Sequence, residues 1–485
     1  MRPSRGRLFA GLCIAVLLAT GCASSGGGKR AKNEDEKPKR TVLLTTKDDV
    51  RVGREAAEHV EVEIGTLDDP ELVAYVAGIG RKLLRGLPRR DFAYRFQIVD
   101  QMEPNAFALP GGHIFVSRGL LALANNEDEL ACVLGHEIVH AARRHTARRQ
   151  AYAATLPGLS LPRSRAQSLA AYSRDMEREA DELGQRLCAA AGYDPMGMST
   201  FMRRLDQRER LMIGAPRAPT FFDTHPGTRE RASMNALRSR ELRWRRDPSL
   251  GDTRERLLDH VDGMVIGDRP ETGLFLGELF VHPGLGFEIR FPPGWTVQNS
   301  SQTVGARSPR NDAVVYLEAD LPKGDLEEQA DEFVDELSEN FRVIVNRKQH
   351  VRLGSIEAVR YGLTGRRGLL KIDASVTFFP FAEGTWKIIG ASPSAAGDRF
   401  HSHFLLTARS FRPVRPAHLA DLRVDRLHIV LARRGEDLRA FGERTGNAWS
   451  PAETALANGR LGNEIFEGGE WTKILLREEI DWSKP

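Results

Sequence analysis

The segment His136-Glu137-Ile138-Val139-His140 has the residue types and spacing of a zinc-binding and proton-transferring group. On an α-helix, four residues turn through about 400°, which places the two imidazoles on one face about 6 Å apart along the axis. Two neutral imidazole nitrogens at this spacing can share one Zn²⁺. Glu137 lies beside them without being a ligand, and its carboxylate can take a proton from the attacking water.

A catalytic zinc needs a third protein ligand, and the downstream segment Glu177-Arg178-Glu179-Ala180-Asp181 offers candidates. Glu177 and Asp181 share one helix face, so one can bind zinc while the other accepts the N–H of a ligating histidine. Glu179 lies about 200° from Glu177 around the helix and is not expected to act with it. His145 is expected to face away from the histidine pair.

Two helices must position these side chains. Asn126, with Glu129 three residues on, is a capping pattern, and the helix is predicted to run through the two histidines towards Ala151. The second helix is predicted from about Arg165 to Ala191, and Gly192 ends it. Upstream, residues 48–91 show helical spacing, and residues 92–115 read as two short strands.

Several motifs in the same order carry a family resemblance. They are HEIVH, the ExxAD at 177–181, Thr224-His225-Pro226 with Glu230-Arg231, and the stretch from Asn105 to Leu121. Over about residues 45–265 the chain resembles the HtpX/BepA/LoiP/Oma-type gluzincins, which include the CAAX prenyl proteases. The resemblance implies a metalloendopeptidase with one Zn²⁺ per chain, with Glu177 as third ligand and Asp181 behind it.

The resemblance leaves two roles open for His225, which either stabilises the oxyanion or occupies the fourth zinc position as a latch. A second expectation concerns the strand that follows the Pro-Gly-Gly turn. It is predicted to be an edge strand that aligns an extended substrate by main-chain pairing. The residues assigned to that role are Gly112, His113, Ile114 and Phe115.

The N-terminus has the pattern of a bacterial lipoprotein signal. Three arginines precede an apolar run too short to cross a bilayer, and Ala19-Thr20-Gly21-Cys22 resembles a lipobox. We therefore expect residues 1–21 to be a signal peptide and Cys22 to be the lipidated first residue of the mature chain. Residues 22–45 are then a flexible linker, and the expected location is the periplasmic face of the outer membrane.

The rest of the chain predicts a multidomain protein. A mainly α zincin-type peptidase domain with a small β-sheet is expected at 46–270, and an antiparallel α+β domain, loosely similar to PsbP, at 275–412. Residues 424–478 resemble a divergent LysM module of βααβ order, which would contact peptidoglycan. Cys132 and Cys188 are expected to be buried thiols too far apart to form a disulfide.

Charge excludes one class of partner. The chain has 70 basic and 66 acidic residues, and removal of the signal peptide leaves a net charge near +1, so nothing favours nucleic-acid binding. The expected partners are unfolded or misassembled envelope proteins as substrates, the membrane through the N-terminal lipid, and peptidoglycan. The alternative from another class is a non-catalytic chaperone or scaffold lipoprotein bound to the cell wall.

Overall fold

The computed structural model describes residues 45–155, 162–211, 221, 225, 228–300, 303–322, 324–367 and 370–480. These residues form two compact units. One contains the described residues up to Gly267 together with Val424–Glu478, and the other contains Asp268–Arg423 with the residues from Glu479 on. No helix of these described ranges is long and apolar enough to cross a membrane. The predicted signal peptide and Cys22 lie outside the described residues.

The unit that carries the HExxH segment is mainly helical with a three-stranded sheet. Its elements before the break at Gly267 are α1 (Thr46–Glu63), α2 (Pro70–Leu84), β1 (Arg95–Val99), β2 (Ala106–Leu109), β3 (His113–Ser117), α3 (Arg118–Leu123), α4 (Glu127–Ala142), α5 (His145–Thr155), α6 (Pro162–Ala190), α7 (Gly197–Leu211), α8 (Thr228–Glu241), α9 (Thr253–Val261) and β4 (Val265–Ile266).

The HExxH helix, α4, is buried along nearly its whole length. Asn126 caps it as predicted, because its side chain accepts the N–H of Glu129 at 2.9 Å. The predicted continuation towards Ala151 is wrong. The helix ends at Ala142, and Arg144 adopts a left-handed φ of 54°, so a separate helix, α5, begins at His145.

The small sheet overturns the prediction of an edge strand at residues 112–115. The strand order is β1-β3-β2, with β3 pairing parallel to β1 and antiparallel to β2. The strand that contains His113, Ile114 and Phe115 is therefore the central one, fully buried, while Gly112 lies in the turn before it. Periodicity predicts strands but not their order in a sheet. The edge of this sheet beside α4 is β2.

Helices α4 and α6 cross at two glycines. A Cβ added at Gly135 would lie 2.9 Å from the carbonyl oxygen of Gly184, so no side chain fits between the two backbones. The two helices run antiparallel. Cys132 lies three residues before Gly135, and Cys188 lies four residues after Gly184, so the crossing brings the two cysteines together. Both thiols are buried, as predicted, and both lie within 3.8 Å of the Asp194 carbonyl oxygen. The predicted wide separation of the two is wrong.

The second unit is built on an antiparallel sheet of order β11-β12-β13-β14-β10-β9-β8. Its elements are β5 (Leu274–Leu276), β6 (Leu279–His282), β7 (Phe287–Arg290), β8 (Thr296–Asn299), β9 (Thr303–Arg307), β10 (Val314–Pro322), α10 (Leu326–Asn340), β11 (Arg342–Leu353), β12 (Ile356–Arg367), β13 (Leu370–Phe381), β14 (Gly384–Pro393), α11 (His401–Ser410), β15 (Arg412–Pro413) and α12 (Pro416–Asp421). The predicted antiparallel α+β fold is confirmed. Helix α10 covers one sheet face through Ala330 and Val334, and α11 covers the other through Phe404 and Ala408.

The C-terminal segment has the predicted βααβ order, with β16 (Arg423–Leu431), α13 (Leu438–Thr445), α14 (Pro451–Asn458) and β17 (Trp471–Glu479). It packs into the unit of the HExxH helix. Strand β16 pairs with β4, and the buried Lys473 ammonium donates to the carbonyl oxygens of Ala122 and Ala124 at 2.8 and 2.5 Å. Those carbonyls end α3 just before α4 begins, so this segment supports the start of the HExxH helix. Its likeness to LysM stays a prediction.

Candidate metal centre and active site

Four side chains from three parts of the chain converge on one point. His136 and His140 come from α4, Glu177 from α6, and His225 from the stretch between α7 and α8; one ligand atom from each lies within 4.8 Å of all the others. The Nε2 atoms of His136 and His140 are 3.0 Å apart, and the Glu177 oxygens lie 3.4 and 3.5 Å from them. The predicted ligand triad is thus brought together.

The separations and the donor types fit a tetrahedral divalent cation. Four ligand atoms at about 2.0–2.1 Å from Zn²⁺ are about 3.3 Å from one another, and the distances between neighbouring ligand atoms in this cluster run from 2.9 to 3.5 Å. Imidazole nitrogens with one carboxylate are the donor set that suits zinc. The cluster is also buried, which limits competition by solvent.

Asp181 holds His136 in the orientation that ligation needs. Its Oδ1 lies 3.0 Å from Nδ1 of His136, and a carboxylate this close favours the proton on Nδ1, which leaves Nε2 free for a metal. The predicted position of Asp181 behind the ligand is therefore what the structure has. Burial raises the pKa of Asp181, but the Arg231 guanidinium outweighs burial and lowers this pKa to about 2. The carboxylate is thus ionised at neutral pH.

Arg231 connects the parts of the site. Its guanidinium donates twice to Asp181, at 2.7 and 2.8 Å, and once to the carbonyl oxygen of His225 at 2.9 Å. The same Nη1 lies 3.0 Å from Glu177. One buried cation therefore ties the third ligand, the carboxylate behind His136 and the His225 backbone together. The sequence carried a signal for it, since Glu230-Arg231 follows Thr224-His225-Pro226, but spacing gave it no role.

His145 and Glu179 also act on the site, contrary to prediction. Nδ1 of His145 lies 2.9 Å from Nδ1 of His140, and Nε2 of His145 lies 3.2 Å from Glu179. Burial lowers the pKa of His145 to about 4 against the opposing pull of Glu179, so the ring is neutral. A neutral His145 can accept from His140 and donate to Glu179, which fixes Nε2 of His140 as the ligating atom. The prediction failed because it continued α4 beyond Ala142.

Glu137 is placed where a proton carrier should be. It is fully buried, neither carboxylate oxygen has a hydrogen-bond partner, and Oε1 lies 3.5 Å from Nε2 of His225. Burial raises the pKa of Glu137 above its ordinary value. A buried acceptor pair without partners beside a metal cluster is the arrangement expected where a water is to bind and be deprotonated.

The other pKa values follow from the same contacts. Burial lowers the pKa of His140 well below its ordinary value, with His136 adding to the effect. Burial also lowers the pKa of His136, but the hydrogen bonds to Asp181 and Glu177 outweigh it and raise this pKa to about 9. A metal ligand must be unprotonated, so cation binding at this centre displaces a proton from His136.

His225 lies at the fourth vertex of the cluster. Its Nδ1 is 3.2 Å from Nε2 of His136 and 2.9 Å from Oε2 of Glu177, and its ring stacks on Phe221 with a centroid separation of 4.3 Å. Of the two predicted roles, this placement fits the fourth ligand. A histidine there occupies the position that a catalytic metal keeps open for water or substrate.

Two histidines of an HExxH helix, a glutamate from a second helix and a buried glutamate base define the gluzincin class of metallopeptidase. The family model described as Peptidase family M48 matches residues 70–167 and 154–241. Those residues contain α4, α6 and every member of the metal cluster. This part of the chain is therefore similar to the peptidase domain of family M48, and its donor set is that of a metalloprotease.

Two relatives each match just over a third of the chain. The chain is 32% identical over 198 residues to the mitochondrial metalloendopeptidase OMA1 of Schizosaccharomyces pombe, covering 37% of this chain and 58% of that protein. It is 28% identical over 203 residues to the β-barrel assembly-enhancing protease of Escherichia coli, covering 36% and 41%. The chain thus spans about half the length of these relatives.

The likeness to solved structures is weaker. The solution structure of cyanobacterial PsbP from Synechocystis sp. PCC 6803 aligns with 31% of this chain and 99% of that chain, at 13% identity and a TM-score of 0.25. A TM-score this low does not indicate a shared fold, and the predicted PsbP-like character of residues 275–412 stays a prediction.

Proposed function

We propose that the protein is a zinc-dependent endopeptidase of the bacterial cell envelope that cleaves misfolded or unassembled envelope proteins. The observation that carries the catalytic part is the convergence of His136, His140 and Glu177 beside the unpartnered carboxylate of Glu137. Zinc at this centre would polarise the scissile carbonyl and activate the attacking water. The name of the E. coli relative, a β-barrel assembly-enhancing protease, supports the choice of substrate class.

Each protein group has a separate task. Glu137 takes the proton of the attacking water and passes it to the leaving amine, and its burial favours both directions of transfer because its pKa is raised. Asp181 and His145 hold the two imidazoles with Nε2 towards the metal. His225 occupies the fourth vertex at rest, so it must move away before a substrate carbonyl can enter.

The open edge of β2 is the surface that would align the substrate. Ala108 and Leu109 line a small crevice together with His140, so the end of this strand reaches the metal centre. An unfolded chain can add to β2 as a further strand through main-chain hydrogen bonds, whereas a folded chain cannot offer an extended segment. Strand β2 therefore takes the substrate-aligning role that the sequence analysis predicted for residues 112–115.

The test compares residues 23–485, the mature chain without its lipidated Cys22, with the Glu137→Gln variant of the same residues after zinc loading. The substrates are an outer-membrane β-barrel protein kept unfolded in urea and then diluted, and the same protein folded in detergent micelles. We expect the wild type to cleave the unfolded form at least about tenfold faster than the folded form, and Glu137→Gln to cleave neither. Glu182→Gln, at an exposed site on α6, is the matched control and should behave as wild type.

His225→Ala removes the fourth ligand and is assayed in parallel, because a latched wild type would be slow. Equal cleavage by wild type and Glu137→Gln would contradict the peptidase proposal. So would absence of cleavage in both wild type and His225→Ala. Cleavage of folded and unfolded substrate at equal rates would leave the peptidase standing and overturn the substrate class.

The envelope location and the partners are further parts of the proposal. The lipobox-like segment supports a lipid anchor at Cys22, and the βααβ segment supports contact with peptidoglycan. Fractionation tests the first: Cys22→Ala should move the protein from the membrane to the soluble fraction. Sedimentation with purified peptidoglycan tests the second, and a protein that stays in the supernatant would contradict it.

A further inference from the structure

Four arginines are more than nine-tenths buried among the described residues, and three of them bind a carboxylate. Arg118 pairs with Asp100, Arg204 with Glu129 and Arg231 with Asp181. The fourth, Arg360 on β12, is 8% exposed. Its Nε donates to the hydroxyl of Thr377 at 2.9 Å, and its Nη2 is buried without a hydrogen-bond partner.

The surroundings of Arg360 add positive charge instead of neutralising it. The charged neighbour that acts on it is Arg409 on α11, and burial together with Arg409 lowers the pKa of Arg360. A buried guanidinium beside a second guanidinium is unfavourable unless an anion joins them. Arg360 therefore has the environment of a ligand-binding cation and not that of a structural ion pair.

The strand register shows which groups share the face with Arg360. Directly opposite it lie Gln349 on β11 and Thr377 on β13. Gly362 lies two residues further along β12 and on the same face. Arg347 on β11 and Ser375 on β13 lie directly opposite it. This face therefore offers hydrogen-bond donors on three adjacent strands around Gly362. The next pair along it is Thr364 and Asp373, whose carboxylate accepts the hydrogen bond of the Thr364 hydroxyl at 2.7 Å.

Gly362 leaves room above this row. A Cβ added there would meet only the Cβ of Arg347, at 3.6 Å, so the sheet has a depression next to Arg360. The exposed Arg347 side chain starts at the rim of that depression, and Ser375 is half-buried on its other side. A cation, a hydroxyl and the buried Arg360 thus border one open space.

We infer that this face of the second unit is a binding site for a phosphate-type oxyanion, with Arg360 at its base and Arg347, Arg409 and Ser375 around it. The planar fork of arginine matches the paired oxygens of a phosphate, and the three guanidinium groups more than offset its double negative charge. The phosphate can be free or can belong to a lipid headgroup, since the recognised chemistry is the same. The site is independent of the metal centre.

The test uses residues 23–485 and inorganic phosphate, measured by calorimetric titration at constant ionic strength in chloride. We expect a saturable component in the wild type that Arg360→Met weakens at least about tenfold. Arg352→Met is the matched control, because Arg352 lies on the opposite sheet face, exposed and beside Glu357, and it should leave the affinity unchanged. Circular dichroism checks the fold of each variant.

Arg409→Gln serves if Arg360→Met does not fold, because Arg409 is an exposed helix residue whose loss should weaken phosphate binding about three- to tenfold. Equal phosphate affinity in wild type and the Arg360 or Arg409 variants would overturn the site, as would absence of saturable binding in the wild type.

Vesicle flotation then identifies the source of the phosphate. Arg360-dependent flotation with phosphatidylglycerol vesicles, but not with phosphatidylcholine, would support the site with a lipid headgroup as its ligand. Phosphate binding without flotation would support the site with a free phosphate compound as its ligand.

Discussion

Gly184 on α6 packs directly against the backbone of His136 on α4. A Cβ at Gly184 would lie 2.8 Å from the backbone nitrogen of His136, closer than side-chain carbons approach in folded proteins. This contact sets how near the helix that carries Glu177 comes to the helix that carries both histidines. The geometry of the metal centre therefore depends on a residue with no side chain.

Gly184→Ala should separate the two helices and weaken metal binding. A shift of a few tenths of an ångström at the crossing moves Glu177 away from the imidazoles, and we expect zinc affinity to fall by about tenfold or more. Competition with a chromogenic chelator measures the affinity. Gly442→Ala, on a helix where the nearest atom is 4.0 Å away, is the matched control and should change nothing. Unchanged zinc affinity in Gly184→Ala would show that the crossing does not set the site.

Asp181→Asn should weaken zinc binding by about 10–100-fold, because the neutral amide no longer stabilises the ligating tautomer of His136. It should also lower the free energy of unfolding by about 3 kcal/mol, since Arg231 loses the carboxylate that accepts two of its hydrogen bonds inside the protein. Chelator competition and urea unfolding measure the two effects. Asp175→Asn, an exposed carboxylate on the same helix, should show neither effect; equal effects in both variants would contradict the role of Asp181.

Glu288 makes the stability of the second unit depend on pH. Burial raises the pKa of this carboxyl, but hydrogen bonds from Arg412 and His418 outweigh burial and lower it to about 2. Because the folded-state pKa is lowered, the stabilisation is present above the ordinary value of 4.5 and is lost as the pH falls towards 2.

Glu288→Gln should therefore destabilise the protein by about 1–3 kcal/mol at pH 7. The difference from the wild type should shrink when both are unfolded in urea at pH 3. Glu357→Gln, whose side chain is 81% exposed, is the control and should follow the wild type at both values. A difference that stays constant from pH 7 to pH 3 would show that ionisation of Glu288 contributes nothing.

Lys473 should be needed for the stability of the peptidase unit, although it lies more than 330 residues after the HExxH helix. Lys473→Ala leaves the carbonyl oxygens of Ala122 and Ala124 without their donor and opens a cavity, at an expected cost of about 2–4 kcal/mol. Lys371→Ala, at an exposed position, should cost little. If the two variants unfold at the same urea concentration, the C-terminal segment does not support α4.

The metal ligands could be predicted because their chemistry constrains local spacing. His136 and His140 must be one helical turn apart, and Glu177 and Asp181 must share a face, so each pair is visible within five residues. The helix cap at Asn126 and the α+β class of residues 275–412 follow from equally local patterns. Strand β11 escaped prediction because its largely exposed, basic sequence does not alternate.

What could not be predicted depends on long-range packing. The order of strands in the small sheet, the helix break at Arg144 and the contact of His145 with His140 are set by tertiary contacts. The same holds for the two cysteines, whose separation depends on where α4 and α6 cross. Residue spacing shows which side chains share one face of a helix, but it does not show where along their lengths two helices cross.

The central claim is that His136, His140 and Glu177 bind one divalent cation, and anomalous diffraction at the zinc edge tests it most directly. Crystals of residues 23–485 grown with zinc should show one strong peak within about 2.3 Å of a nitrogen of each histidine and an oxygen of Glu177. Glu177→Gln crystals should lose most of that peak while His136 and His140 stay in place. A wild-type peak elsewhere, or none at this centre at saturating zinc, would contradict the account.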